Sequence, residues 1–170
     1  VVQAKCHGHA GQREVHRATH ARLAVAADAS GYRRRDDHAH QHLVRVELLA
    51  ATKYVPLDEM GTLLEAGATL VGENRLQDLE RKQGIAGDRF EWHFIGALQS
   101  RKVRDIVPRV TLIHSLASDS ALAKLEAHAP RETEVLVQVN VAGEESKAGV
   151  DVADLGDFIE RCPVTVVGLM

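Results

Sequence analysis

The stretch Glu91-Trp92-His93-Phe94-Ile95-Gly96 has the two-residue alternation of a β-strand. Trp92 and Phe94 fall on one face of this strand, and His93 falls on the other. We predict that the two aromatic side chains pack against a layer of helices, so that His93 points into the interior. There His93 could contact a ligand; a hydrogen-bonded core histidine is the structural alternative.

Strand and helix patterns alternate on both sides of this stretch, from about residue 46 to the last residue. Short β-branched apolar runs are separated by segments whose apolar residues recur at three- and four-residue spacing. The predicted strands are Val46–Thr52, Thr69–Gly72, Glu91–Gly96, Thr111–Ser115, Glu134–Asn140 and Val164–Met170. The predicted helices are Leu57–Ala66, Arg75–Gln83, Ser100–Ile106, Ser118–His128 and Val152–Glu160. This order is typical of βαβ units around a parallel sheet.

Two α/β architectures give this pattern, a closed barrel and a doubly wound open sheet. The predicted strands begin about 20 to 30 residues apart, as in a (β/α)8 barrel with right-handed crossovers. No Gly-x-Gly-x-x-Gly or Walker lysine loop follows a strand, which disfavours an open nucleotide-binding sheet. We therefore predict an α/β fold of the TIM-barrel type over residues 46–170, incomplete here with about six parallel strands.

Residues 1–45 differ in character, and we predict a separate, divergent region of helix and loop. Glu14–Ala29 has an amphipathic helical pattern, and seven of the ten histidines precede residue 43. His38, His40 and His42 would line one edge of an extended strand and could bind Zn or Ni. They lack the cysteine or carboxylate partners of a closed site, so we predict an exposed loop and no metal site.

The composition excludes several classes of partner. With 21 Lys+Arg against 24 Asp+Glu, the formal charge of -3 gives no field that would gather nucleic acid or an anionic membrane. The sequence has no apolar run of membrane-spanning length and no secretory signal, which predicts a cytoplasmic protein. Because the chain starts at Val1 and stops at Met170 in an apolar run, we interpret it as part of a longer protein.

Polar residues follow the first two predicted strands at their carboxyl ends, which form the active-site face of a barrel. Lys53 follows the first strand. A lysine partly removed from water loses some preference for the ammonium form, and the neutral amine attacks aldehydes to form imines. By position alone, an ordinary surface lysine is the alternative. Asn74 follows the second strand and offers a donor and an acceptor, or else caps the next helix.

The loop of residues 140–149 follows the fifth predicted strand. Its two glycines, Ser146 and Lys147 could form an anion-binding concavity. Glu144 and Glu145 argue against a bare phosphate cradle in the same loop.

Several segments at the strand ends resemble the pyridoxal phosphate homeostasis protein family in order and spacing. They are Leu48–Lys53, Gly72–Asn74, Trp92–Lys102, Ile113–Ser115, Val137–Asn140, Glu145–Gly149 and Gly168–Met170. The resemblance covers roughly residues 46–170, and Trp92–Gln99 is its most specific part. It implies an alanine-racemase-like barrel that binds pyridoxal 5′-phosphate (PLP) as a Schiff base through Lys53. It also implies a carrier or buffer of PLP without established turnover, whose recipients are PLP-dependent apoenzymes.

For the binding site, the resemblance implies that Asn74 lies near the cofactor and that His93, Asn140 and Met170 line the pocket. Residues 1–45 do not follow the family pattern. The family also continues beyond the Gly-Leu-Met strand into two stretches that hold the phosphate and face the ring nitrogen, and this chain contains neither. We therefore predict weak PLP affinity for these 170 residues alone.

Two other functions remain open at this point. A PLP-dependent amino-acid racemase would need a second acid/base group opposite the lysine, typically a tyrosine from an added β domain. Tyr32 lies in the unlike N-terminal region, and Tyr54 adjoins Lys53. The second alternative is a fragment with impaired PLP binding, because barrel phosphate sites usually come from the loops after strands seven and eight.

Overall fold

A six-stranded parallel sheet organises the protein, whose computed structural model describes residues 47–144 and 146–170. The strands are β1 (Ala50–Ala51), β2 (Leu70–Glu73), β3 (Glu91–Phe94), β4 (Leu112–Leu116), β5 (Glu134–Val137), β6 (Val139–Asn140), β7 (Val150–Asp151) and β8 (Thr165–Leu169). The main sheet has the order β1-β2-β3-β4-β5-β8, and all its neighbours pair in parallel. Strands β6 and β7 form a second, two-stranded parallel sheet. The predicted helix Glu14–Ala29 and the histidines His38, His40 and His42 lie outside the described residues.

Helices connect the strands of the main sheet in the βαβ manner. They are α1 (Met60–Glu65), α2 (Leu76–Ala86), α3 (Val103–Ile106), α4 (Asp119–His128) and α5 (Leu155–Glu160), with shorter 3-10 turns at 57–59, 87–89, 100–102 and 107–109. Ser118 begins α4 with a side-chain cap, accepting from the Ala121 N–H at 3.3 Å. Among the described residues, no helix combines the length and apolar character that crossing a membrane requires.

The hydrophobic core lies between the sheet and its helices. Trp92 and Phe94 are buried on the helix side of β3, and Trp92 meets Phe90 edge-on at 5.7 Å between ring centroids. Leu79 of α2 and Leu125 of α4 are fully buried in the same cluster. The predicted packing of the two aromatic residues against the helix layer is therefore confirmed.

Each of the six predicted strands and five predicted helices has a counterpart among the described residues, although most bounds differ and the first strand is only Ala50–Ala51 instead of Val46–Thr52. Two further differences share one cause. The predicted strand Glu134–Asn140 divides at Gln138: its N–H still donates to Leu116 O, at 2.8 Å, whereas Val139–Asn140 pairs with Val150–Asp151. The last helix begins at Leu155 instead of Val152, because the residues just before it form β7 and a turn. The second sheet therefore shortens both predicted elements.

Gly84 lies on the exposed side of α2, with no heavy atom within 4 Å of an added Cβ. Gly84→Ala should stabilise the protein by about 0.5–1 kcal/mol, since glycine loses more backbone entropy than alanine in a helix. Urea unfolding gives the difference. The matched control is Gly87→Ala at the end of the same helix, where φ is +63° and alanine should destabilise. A loss of stability in Gly84→Ala would contradict the prediction.

Candidate functional site

The carboxyl ends of β1, β2 and β3 bring Lys53, Asn74 and Gly96 to one edge of the sheet. Thr52 N donates to Gly72 O at 2.9 Å, and Ile95 N donates to Glu73 O at 2.9 Å. These bonds continue the parallel ladders beyond β1 and β3 as far as the last residues before the loops. Lys53, Asn74 and Gly96 therefore come at the ends of three strands that are neighbours in the sheet.

Lys53 lies within a tight turn that ends the first strand. The turn is closed by a hydrogen bond from Val55 N to Thr52 O, at 2.7 Å. The Lys53 side chain is partly buried, and its Nζ lies 5.3 Å from the centroid of the Tyr54 ring. Tyr54 itself is 65% exposed, so the Lys53 amine and the Tyr54 ring lie close together on the solvent-accessible side of this turn.

A cavity of about 220 Å³ adjoins the turn on the side of helix α2. Its lining residues are Lys53, Val55, Pro56, Leu57, Asp78, Arg81 and Lys82. The lining combines three cationic groups and one carboxylate with apolar surface. The cavity therefore connects Lys53 with the helix that follows β2.

Asn74 is partly buried between β2 and α2. The alternative role as helix cap is wrong, because the N-cap of α2 is Arg75. The backbone of Asn74 touches Gly96 so closely that a Cβ on Gly96 would lie 2.1 Å from Asn74 O. The bare glycine thus lets the end of β3 lie against Asn74.

His93 is buried in the middle of β3 and forms a pair with His114 of β4. His93 Nδ1 lies 3.0 Å from His114 Nε2, and His93 Nε2 lies 3.4 Å from Glu91 Oε1. Both ring nitrogens of His93 therefore have partners, which agrees with the structural alternative of a hydrogen-bonded core histidine. Its role as pocket lining stays a prediction.

Burial depresses the basicity of both imidazoles. It lowers the pKa of His93, an effect that hydrogen bonding and charge attraction from Glu91 partly oppose. For His114, burial and the proximity of His93 lower the pKa to about 4. His114 Nδ1 is buried without a hydrogen-bond partner among the described residues. The pair is therefore neutral near pH 7.

Asn140 and Met170 form a second group, which follows β5 and β8 in the strand order. Asn140 is buried in β6, and its Nδ2 donates to Glu144 O at 2.9 Å. Val139 N donates to Met170 O, also at 2.9 Å, which holds the two residues near each other. The predicted site residues thus fall into two groups, because Lys53 and Asn74 follow β1 and β2 at the other end of the strand order.

Sequence reasoning missed a buried ion pair directly behind Lys53. Lys82 Nζ of α2 lies 2.5 Å from Glu73 Oε1, and the two side chains are 7% and 0% exposed. Lys82 follows Leu76 and Leu79 at the three-residue spacing of the buried face of α2. A lysine in that register was the available signal, because a buried ammonium group requires an acidic partner.

No family model matches the chain. Over 132 residues, the chain is 38% identical to a pyridoxal phosphate homeostasis protein of Aquifex aeolicus, an alignment that covers 73% of this chain and 58% of that protein. Over 137 residues, it is 36% identical to the protein of the same name from Vibrio alginolyticus, covering 74% of this chain and 59% of that protein. The chain is homologous to the pyridoxal phosphate homeostasis proteins. It spans a little more than half the length of these curated relatives.

Solved structures agree with this homology. PipY of Synechococcus elongatus PCC7942 with PLP bound aligns with a TM-score of 0.68 at 28% identity, covering 89% of this chain and 69% of PipY. PipY without PLP aligns with a TM-score of 0.64 at 32% identity, covering 74% and 62%. Alanine racemase of Corynebacterium glutamicum has a TM-score of 0.65 at 15% identity, covering 91% and 43%. The predicted alanine-racemase-like barrel fold is confirmed, with six parallel strands in the main sheet of the described residues.

Proposed function

We propose that this chain binds PLP as a Schiff base through Lys53 and acts in intracellular PLP homeostasis as a carrier or buffer. One observation carries the proposal: Lys53 lies in the turn that follows the first strand of a sheet, and this sheet aligns with PipY, a relative whose structure has PLP bound. The names of the curated relatives support the homeostatic role. PLP-dependent apoenzymes would be the recipients of the bound PLP.

The residues at the sheet edge fit this cofactor chemically. PLP supplies an aldehyde when bound, and Lys53 supplies a primary amine at the mouth of a turn. Lys53 would hold PLP through its Nζ, and the aldehyde would supply the carbon of the imine, with its oxygen released as water. Asn74 offers an amide donor and acceptor at the carboxyl end of the neighbouring strand, and the close contact of its backbone with Gly96 holds it in place.

The carrier role is favoured over a racemase because of the position of Tyr54. A two-base racemase needs its second acid/base group on the far side of the substrate from the lysine. Tyr54 adjoins Lys53 in sequence, and its exposed ring stands 5.3 Å from the same amine. The closeness of the two groups at one turn supports the carrier role. His93, Asn140 and Met170 are proposed as more distant lining of the pocket.

Reductive trapping tests the proposal on the whole chain. PLP is added, imine absorbance is followed, and the product is reduced with borohydride, digested and mapped by mass spectrometry. The label should be on Lys53, with an apparent affinity weaker than that of a homologue of full family length. Lys53→Ala should lose the label, whereas Lys124→Ala, at an exposed lysine of α4, should keep it.

The proposal has clear contradictory outcomes. Label at another lysine, or undiminished label in Lys53→Ala, would contradict the proposed site. Racemisation or transamination of added amino acids by the PLP-loaded protein would contradict the carrier role and support an enzyme instead. No labelling of this chain, together with labelling of the longer homologue, would support a fragment with impaired binding.

A further inference from the structure

The turn that carries Lys53 is held from behind by three buried side chains, those of Thr52, Glu73 and Lys82, here named the Lys82 network. Lys82 Nζ donates to Thr52 O at 2.6 Å and to Glu73 Oε1 at 2.5 Å. Thr52 Oγ1 donates to the same carboxylate oxygen at 2.6 Å. Thr52 and Glu73 are fully buried, and Lys82 is 5% exposed.

Stability alone does not account for the Lys82 network. Removing two charges from water carries a desolvation cost, and apolar residues of similar volume often replace a buried ion pair without loss of stability. The second carboxylate oxygen, Glu73 Oε2, is buried without a hydrogen-bond partner among the described residues, which adds to the cost. A role in the neighbouring site, at the turn of Lys53, would explain why a buried ion pair between Lys82 and Glu73 is present.

The atom that Lys82 binds connects the network to Lys53. Thr52 O belongs to the same planar peptide unit as the backbone nitrogen of Lys53, so fixing this carbonyl fixes the plane from which Lys53 extends. Strand β1 contains only two residues, and its ladder ends with the bond from Thr52 N to Gly72 O. Beyond that bond, the turn closed by Val55 N and the ammonium group of Lys82 both hold Thr52 O.

We propose that Lys82, held by Glu73, is a positioning residue that fixes the Thr52–Lys53 peptide and thereby orients the amine of Lys53 toward its aldehyde ligand. This inference rests on the proposed function, because it assumes that Lys53 is the reacting lysine. Lys82 itself forms no bond to the ligand. The two hydrogen bonds that Lys82 donates restrict the conformations of the turn. An amine held in the right orientation reacts faster than one that moves freely.

Two variants separate positioning from support of the fold. Lys82→Met removes both hydrogen bonds and leaves the Glu73 carboxylate buried without a cationic partner, so this protein is expected to be less stable. The double variant Lys82→Met/Glu73→Leu removes both charges, and we expect it to fold with stability close to that of the parent. The matched control is Glu80→Gln on the same helix, which breaks only the exposed ion pair with Arg109.

Two measurements are compared at a temperature at which each variant is folded. In the protein without PLP, amide hydrogen exchange at Val55 should be about tenfold faster in the double variant, because the turn opens more often. With PLP present, imine formation at Lys53 should be slower by about tenfold or more in the double variant. Glu80→Gln should match the parent in both measurements.

A stable double variant with parental exchange at Val55 and parental imine formation would overturn the proposal and assign the Lys82 network to the fold alone. Faster exchange with slower imine formation supports it. The exchange measurement also separates this inference from the proposed function. If the parent forms no imine while Val55 still exchanges faster in the double variant, the proposed function is contradicted and the effect of Lys82 on the turn is supported.

Discussion

Gly96→Ala is expected to destabilise the protein by about 3 kcal/mol, at the upper end for overpacking by a single methyl group. The added Cβ would lie 2.1 Å from the carbonyl oxygen of Asn74 and 2.7 Å from its carbonyl carbon and Cα. These are backbone atoms, which cannot rotate away as the end of a side chain can. The end of β3 or the loop after β2 must therefore move. Urea unfolding of parent and variant measures the loss.

Gly72→Ala is the matched control for this prediction, one strand away on the same sheet. Its added Cβ would lie 2.8 Å from Leu49 Cδ2 and 3.0 Å from Ile95 Cγ2, which are side-chain atoms able to shift. We expect a loss of about 1 kcal/mol there, near the lower end for overpacking. Equal losses in the two variants, or parental stability in Gly96→Ala, would show that the contact with Asn74 does not constrain the site.

The main sheet could be predicted because strands and helices leave different periods in a sequence. Trp92 and Phe94 alternate with His93, and the structure buries the two aromatic side chains on the helix side. The division of the predicted strand Glu134–Asn140 could not be foreseen in this way. An apolar run shows where extended chain occurs, but its pairing partner depends on the register at Gln138, which no local pattern records.

Within the candidate site, only the residues that follow the carboxyl ends of strands could be predicted from the sequence. Parallel strands place their carboxyl ends at one edge, so Lys53 and Asn74 were expected to lie together, as the ladder bonds indicate. The contact between Lys82 and Thr52 O depends instead on how α2 packs across the end of β1. His93 was placed on the interior face by alternation, but its partner His114 depends on the register that pairs His93 with Leu112.

The same histidine pair makes stability depend on pH. The folded pKa of His114 is lowered to about 4 from the ordinary 6.5, and that of His93 is also lowered. The unfolded chain therefore binds more protons than the folded protein between these values, so stability falls as the pH falls from 6.5 to about 4. At one pKa unit per 1.36 kcal/mol, His114 alone accounts for about 3 kcal/mol over the whole window.

The surroundings of the pair explain why protonation is unfavourable. His93 Nδ1 and His114 Nε2 are 3.0 Å apart, and one nitrogen must accept the hydrogen of the other. When both rings are charged, two N–H groups face each other and the shared bond is lost. Glu91, Glu47 and Glu134 attract a proton to His93, but burial has the larger effect. His114 is 5% exposed, so water screens its charge very little.

Replacing one histidine should flatten this pH dependence. In His114→Gln, the free energy of unfolding should fall by about 3 kcal/mol less than in the parent between pH 6.5 and 4, measured by urea unfolding at several pH values. His128→Gln, at the exposed end of α4, is the matched control and should keep the parental slope. A parental slope in His114→Gln would assign the acid sensitivity to other groups. If the slope flattens only in His114→Gln, the buried pair limits the stability of the barrel in acid, because the neutral hydrogen bond between β3 and β4 is the contact that protonation removes.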